Sequence, residues 1–483
     1  MRKPRFALMM VLPLALAAAT AAHAQWSSDP SVNLALADRP DEQAVPKIAA
    51  TPDGGAYVGW YDRASGNYDL YLQRLDSLGF EQWGHNGMLV SGHPQDTWVM
   101  DWHLIADSEG AAVLVFCDIR DGVNLSLHAY RIGSDGTMLW GPDGITLSPS
   151  RLSEMPNGAR VVQASDGDFV FIWSMWSVTM GHGGSLQMQR VSPDGTVRFE
   201  EGGLAIVKSK GVPAFPDLVA AGDGSVIVAW LSDNLLESKS KYLFARKFGP
   251  DGAAIWPHAV NVFDECSLPV AYKPEIQPDG HGGALLAWHY TPWLVYNSSV
   301  QHLGADGTEL FPHNGVTVST NPDLYHFYPA LSHDPLTGEL YVFFREYDSV
   351  WGLYGISGQR FSPQGERLWG DGGKALVSLS PVEVSYPLAV PAEGGAMVFW
   401  LNQPAGAWGA AQLLGVRVDG SGEMLWGGQP VEVSSCPSAK YDTQLARNAS
   451  GTAMLVWNDR RDFEITGQDI YGQNVHSDGT LGN

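Results

Sequence analysis

The sequence predicts an all-β protein, an eight-bladed β-propeller of four-stranded units about 57 residues long. Three observations predict it. An aromatic residue ending an apolar run recurs at Trp60, Phe116, Trp173, Trp230, Trp288, Phe344, Trp400 and Trp457, at intervals of 56, 57, 57, 58, 56, 56 and 57 residues. An Asp-Gly pair recurs later in the units, at Asp135-Gly136, Asp194-Gly195, Asp251-Gly252 and Asp306-Gly307. A second aromatic follows at Trp83, Trp140, Phe199, Trp256, Phe311, Trp369 and Trp426. Repetition at a fixed period of this size marks a repeat architecture in which each unit buries its apolar face against the next.

Each unit reads as four strands. The first is short and often follows a proline, as in Pro46-Lys47-Ile48 and Pro274-Glu275-Ile276. A glycine-rich turn such as Asp53-Gly54-Gly55 leads into the second strand, which is continuously apolar, as in Val226-Ile227-Val228-Ala229-Trp230. A strand apolar on both faces is buried on both faces. The third strand alternates, as in Leu70-Tyr71-Leu72-Gln73-Arg74, and ends at the Asp-Gly turn, where glycine supplies the positive φ of a tight hairpin. The fourth strand follows the second aromatic. The last unit lacks a fourth strand, and the segment Gln25 to Leu34, with Trp26 in the aromatic position, matches the missing piece. This predicts that the N-terminal segment pairs into the last blade and joins the ends of the ring, removing exposed sheet edges.

The first 24 residues carry Arg2, Lys3 and Arg5, an apolar run, and Ala22-His23-Ala24, the pattern of a secretory signal peptide cut after Ala24. The expected organisation is a signal peptide over 1–24 and one propeller domain over 25–483, exported to the periplasm or beyond, with no transmembrane segment. Removing a leader with three basic and no acidic side chains takes the formal charge from −23 to −26. So acidic a chain repels nucleic acid and anionic membranes. Of three cysteines, Cys117 reads as a buried free thiol in an apolar strand, and Cys266 and Cys436 fall in loops three units apart that a disulfide reaches only if the fold brings them together.

The stretch Gly54-Gly55-Ala56-Tyr57-Val58-Gly59-Trp60-Tyr61-Asp62-Arg63, continued by Asp69-Leu70-Tyr71-Leu72-Gln73-Arg74, returns near the C-terminus as Val456-Trp457-Asn458-Asp459-Arg460-Arg461 with Asp469-Ile470-Tyr471-Gly472-Gln473. This unit resembles the tandem repeats of a large group of exported bacterial β-propeller proteins. The resemblance spans the mature chain and implies the fold. It carries over no activity, cofactor or site residue.

Function is expected on the long connections between second and third strands, which emerge on one face of a rigid scaffold. Aromatics outside the repeat pattern gather there: Trp176, Trp293, Trp351 and Trp408, with His182, Tyr290 and Tyr296 close by. These are the candidate ligand-binding residues, either stacking on sugar rings or anchoring a protein, or else packing under their own loops. Asp62, Asp118 and Asp459, with Arg63, Arg120 and Arg460 after them, read as turn-capping carboxylates with arginines paired to a neighbouring blade. No nucleophile elbow, histidine pair at metal spacing or cofactor motif is found, so neither metal nor cofactor is expected. The reading is a monomeric, exported, non-catalytic binding or scaffold module for a glycan or an envelope or extracellular protein. The alternative is a carbohydrate-active enzyme, a hydrolase or lyase, using acidic residues at the channel mouth, among candidates such as Glu154, Glu237, Asp264, Glu265, Glu346, Asp348 and Asp442.

Overall fold

The second strands explain the architecture. Ala56–Asp62, Ala112–Asp118, Ala284–Tyr290 and Ala453–Asp459 are buried at every position, because each lies inside its own sheet and between two neighbouring sheets. In the computed structural model, which describes residues 25–483 except 96–100, 178–182, 210, 212, 235–239, 270–272, 293–294 and 408, the chain is all-β and built of four-stranded antiparallel sheets with the strands in chain order. Residues 1–24, the expected leader, and His182, Trp293, Trp408 and Glu237 lie outside the described residues.

Unit 3 is representative: Glu154–Gln163, Phe169–Ser177, Gly184–Val191 and Leu204–Ser209 pair in that order. In unit 7 the first strand is broken, and Glu383–Val384 and Leu388–Ala392 both pair with Gly395–Gln403. The last and first units share one sheet through a short parallel pairing of Asp41 and Glu42 with Gly467 and Gln468. Leu34–Ala37 pairs antiparallel with Gly467–Val475, Leu34 opposite Gly472, at the position a fourth strand occupies in other units. The apolar clusters sit between sheets: Val170 and Ile172 of unit 3 pack with Val226, Val228 and Trp230 of unit 4.

Neighbouring units are fastened by one recurring contact. In four units the indole heading the fourth strand donates to a carbonyl in the next unit's Asp-Gly hairpin: Trp140 to Pro193 at 3.1 Å, Trp256 to Ala305 at 3.0 Å, Trp369 to Gly420 at 3.1 Å and Trp426 to Ser477 at 3.0 Å. Three of those carbonyls also accept from a third-strand arginine, from Arg131 at 3.1 Å, Arg360 at 2.9 Å and Arg417 at 2.8 Å. Each ring lies flat on the hairpin glycine. Gly307, at φ +87°, would put a Cβ 2.9 Å from the Trp256 ring, and Gly479, at φ +89°, 2.7 Å from Trp426. The same relation holds the N-terminal segment against the first unit, since Trp26 sits 2.7 Å from a Cβ built on Gly79.

The capping aspartates behave as read: Asp62, Asp118 and Asp459 accept from the N–H two residues on, at 2.9, 3.1 and 2.9 Å. Their arginines do not cross to a neighbouring unit. Arg120 pairs with Asp118 and Arg461 with Asp459, each at 2.7 Å, while Arg63 reaches Asp41 at 3.6 Å. The short turn folds the guanidinium back onto its own strand end, and Arg460 instead covers Tyr441 and Phe463. Cys117 is buried, and all three cysteines are free, so Cys266 and Cys436 are not bridged. No helix among the described residues is long and apolar enough to cross a membrane.

Gly307→Ala should therefore lose about 1–3 kcal/mol to the clash with Trp256 on top of its backbone strain. Gly338→Ala, at φ +71° with open space around it, should lose only the strain. Urea unfolding of the two variants measures the difference, and equal losses would remove the packing role assigned to the hairpin glycine.

Candidate active site

Register places one residue of each first strand at a common level, opposite the residue that precedes the second-strand aromatic. The pairs are Lys47 with Gly59, His103 with Val115, Arg160 with Ile172 and Asp217 with Ala229. They continue as Glu275 with Ala287, Ala330 with Phe343, Leu388 with Phe399 and Gln444 with Val456. In five strands the register slips just before this residue, between Ala44 and Lys47, Asn157 and Arg160, Ala214 and Asp217, Phe327 and Ala330, and Tyr441 and Gln444. Each slip holds a residue at positive φ: Val45, Gly158, Phe215, Tyr328 and Asp442. A bulge bends its strand and re-aims the side chains beside it. Such values are costly for valine and phenylalanine, which concentrates strain where side chains are being positioned.

The level is not repeated in chemistry. Units 1 to 5 supply five ionisable side chains, and units 6 to 8 supply alanine, leucine and glutamine. Two residues earlier in the chain, Asp101 and Lys273 add charge while Tyr328 and Tyr386 add rings. One wall is ionic and the other aromatic.

On the ionic wall, Asp101 takes Lys47 at 2.8 Å on one carboxylate oxygen and Arg160 at 2.6 Å on the other. Lys273 pairs with Asp217 at 2.8 Å. Burial alone would raise Asp217 and Asp101, but Lys273 and Arg160 on the first, and Arg160 and Lys47 on the second, outweigh it and hold both carboxyls below the ordinary range. His103 accepts from the Val161 N–H at 3.1 Å. Burial, seconded by the Arg160 charge, pushes its imidazole down to about 3, so it is neutral. Glu275 goes the other way. Burial pushes its carboxyl up to about 7, against the hydrogen bonds it accepts from the Leu331 N–H and the Gln277 amide, each at 2.8 Å. Burial also raises Asp442.

A cavity of about 730 Å³ opens between the walls, lined by Lys273, Glu275, His289, Tyr328, Tyr386 and Gln444 among others. It shares Tyr386 and Thr443 with a cleft of about 660 Å³ lined by Asp442, Arg460 and Glu383. It shares His289 and Tyr328 with a third hollow of about 270 Å³ that Tyr296, Tyr325, Phe327, Arg345 and Tyr347 complete. A carboxyl raised to about 7 and aromatic rings on one cavity, with an ion-paired carboxylate in the neighbouring unit, can donate a proton, hold flat ligands and stabilise positive charge.

Of the residues singled out in the sequence, Tyr296 lines this space. Tyr290 is buried, its ring 4.7 Å from Phe263. Trp176 is half-buried in an extended second strand opposite Gly184. Trp351 stands 77% exposed on the unit 6 hairpin. Among the loop carboxylates, Asp442 reaches the cleft, whereas Asp264 pairs with His313 at 3.2 Å and Glu154 with Arg151 at 3.1 Å. The ionic wall was missed, although a signal exists. Pro46, Pro216, Pro274, Pro329 and Pro387 each precede the level residue, which varies while its surroundings repeat.

No family model and no curated protein matches the sequence. Among solved structures, the chain is similar to a polysaccharide lyase, an ulvan lyase bound to -[GlcA(1-4)Rha3S]-, at 10% identity and a TM-score of 0.46, over 94% of this chain and 97% of that one. It is similar to the α-L-arabinanase of Penicillium chrysogenum at 15% identity and 0.35, over 69% and 100%. The GH93 α-L-arabinofuranosidase of Fusarium graminearum follows at 12% and 0.37, over 66% and 93%. All three are carbohydrate-active enzymes. This overturns the expectation of a non-catalytic binding or scaffold module and leaves the carbohydrate-active alternative.

Asp101→Asn would leave Lys47 and Arg160 without their shared counter-ion. Because the Asp101 side chain is 45% exposed, the expected loss is about 1 kcal/mol, well below that of a dry ion pair. Chemical denaturation at low and high salt checks this, with the smaller loss expected at high salt.

Proposed function

We propose that the protein is an exported carbohydrate-active enzyme, a glycoside hydrolase that acts on a polymeric glycan at the central cavity. The observation that carries this reading is the position of Glu275. It is a carboxyl raised to about 7 by burial, on the lining of the cavity, one unit away from Asp217, which Lys273 and Arg160 keep ionised. Two carboxyls with environments that push their protonation apart are the working parts of glycosidic cleavage. Glu275 donates a proton to the departing glycosidic oxygen, and Asp217 is the carboxylate that faces the developing positive charge or activates water. Neutral His103 adds no competing charge. Tyr328 and Tyr386 on the facing wall offer rings for the sugar's C–H faces.

The reading includes a leader cut after Ala24, a single domain over 25–483 and eight blades closed into a ring by the N-terminal segment. The shared sheet of the last and first units, the pairing of Leu34 with Gly472 and the contact of Trp26 with Gly79 support closure. Tyr296 and Trp351 belong to the glycan-contacting surface.

Glu275→Gln should lower kcat by about 10²-fold or more while polymer binding persists. The kcat of the wild type should fall as pH rises through about 7, where Glu275 loses its proton. Product assays on a polysaccharide panel, read for new reducing ends, test both, and unchanged turnover in Glu275→Gln would remove the assignment. Deleting Gln25 to Leu36 should lower the melting temperature by many degrees, whereas an unaltered melt would refute closure.

A further inference from the structure

We propose that a distal sugar-stacking subsite runs from the central cavity to the tip of the unit 6 hairpin, so that the protein holds several consecutive residues of a polysaccharide rather than one terminal sugar. This rests on the glycan reading of the cavity and deepens it. The observation is an unbroken row of rings. Tyr386 lies 5.3 Å from Tyr328, Tyr328 5.4 Å from His289 and His289 6.0 Å from Tyr296. The row goes on to Tyr325 at 5.9 Å, Tyr347 at 5.9 Å and Tyr354 at 4.9 Å, the last pair inclined by only 27°. It begins on the wall facing Glu275 and ends outside the cavity.

These rings differ from those of the apolar cores. The repeat aromatics that end the apolar runs, Trp60 to Trp457, are buried between sheets, but Tyr296, Tyr325, Tyr347 and Tyr354 are half-buried and five of the row line an open hollow. A charged donor is fixed among them. The Arg345 guanidinium lies 5.2 Å from the centre of Phe327 and 4.7 Å from that of Tyr354, and it pairs with Glu383 at 3.2 Å. Flat apolar faces beside an anchored N–H donor suit a ligand with C–H faces and ring hydroxyls. Beyond Tyr354 stands Trp351, exposed yet held. Asp348 caps the N–H groups of Val350 and Trp351 at 2.9 and 3.1 Å, and Gly352 completes the turn at φ +65°. The equivalent connection of unit 1 reads Ala64-Ser65-Gly66-Asn67 and that of unit 2 reads Asp121-Gly122-Val123-Asn124. Neither of these connections carries a tryptophan.

The test is affinity electrophoresis of the full mature chain in native gels containing arabinan, xylan, polygalacturonate or alginate, followed by titration with size-graded oligosaccharides of the retarding polymer. Wild type and Glu275→Gln should both be retarded by at least one polymer. The Trp351→Ala/Tyr354→Ala double variant should bind that polymer about tenfold more weakly, equivalent to 1.4 kcal/mol, with the deficit vanishing for disaccharides. Trp351→Ala alone, a surface change, should show part of the loss if the double variant melts early. The proposal is overturned if no polymer retards the wild type, if the variants bind as wild type does, or if short and long ligands weaken equally. Full turnover in Glu275→Gln together with a length-dependent loss in the double variant would keep the distal subsite and remove Glu275 as the proton donor.

Discussion

The contact on which this structure depends is the seating of one unit's fourth-strand aromatic on the next unit's hairpin glycine. Apolar packing between sheets is strong but non-directional, and it fixes neither the angle nor the height of one sheet against the next. The seated ring supplies both, and at three junctions an indole N–H and an arginine converging on a single carbonyl reinforce it. The glycine lets the ring approach to a distance any Cβ would forbid, so the hairpin's need for positive φ and the interface's need for space are met by one residue. Because the relation is repeated, each first strand arrives at the same level as its neighbours. A common level for side chains 55 to 397 residues apart is a product of that fastening.

This also explains what could be read from the chain. The intervals between Trp60, Phe116 and their successors, the apolar second strands and the Asp-Gly turns are local signals, and they gave the four-stranded sheets. Even the pairing of Leu34 into the last unit was legible, since the tail lacked one strand and the N-terminal segment resembled it. The ionic wall was not legible in the same way. Its residues follow bulges, and a bulge leaves no compositional mark: Val45 and Phe215 are residues that sequence reasoning would place last at positive φ. Its chemistry also depends on partners such as Asp101 for Arg160 and Lys273 for Asp217, which come together only through stacking of units. Unplaced tryptophans were the conspicuous feature, yet Trp176 extends a strand, Tyr290 packs on Phe263, and Tyr296 lines the hollow beside the cavity rather than the cavity itself.

The cavity joins two opposed environments. Lys47, Arg160 and Lys273 gather cationic charge on one side of a strongly acidic chain, balanced by Asp101 and Asp217, and this balance keeps two carboxylates ionised while Glu275, less compensated, is raised to about 7. Across from them the rings of Tyr328 and Tyr386 present little charge. A ligand between the walls meets polar chemistry on one face and flat packing on the other, which orients it before any bond is broken.

The shared register has a bearing on how such a protein diversifies. At the common level the side chain stands outside the apolar clusters between sheets and its cross-strand partner is often small, as at Gly59, Ala229 and Ala287, so exchanging it disturbs neither the cores nor the hairpin seats. Each unit thus contributes one letter to a word, and Lys47, Arg160 and Asp217 are read together with their partners Asp101 and Lys273. Scaffold and specificity can drift at separate rates, and a lineage of such chains could exchange ligands by single substitutions without passing through unstable intermediates.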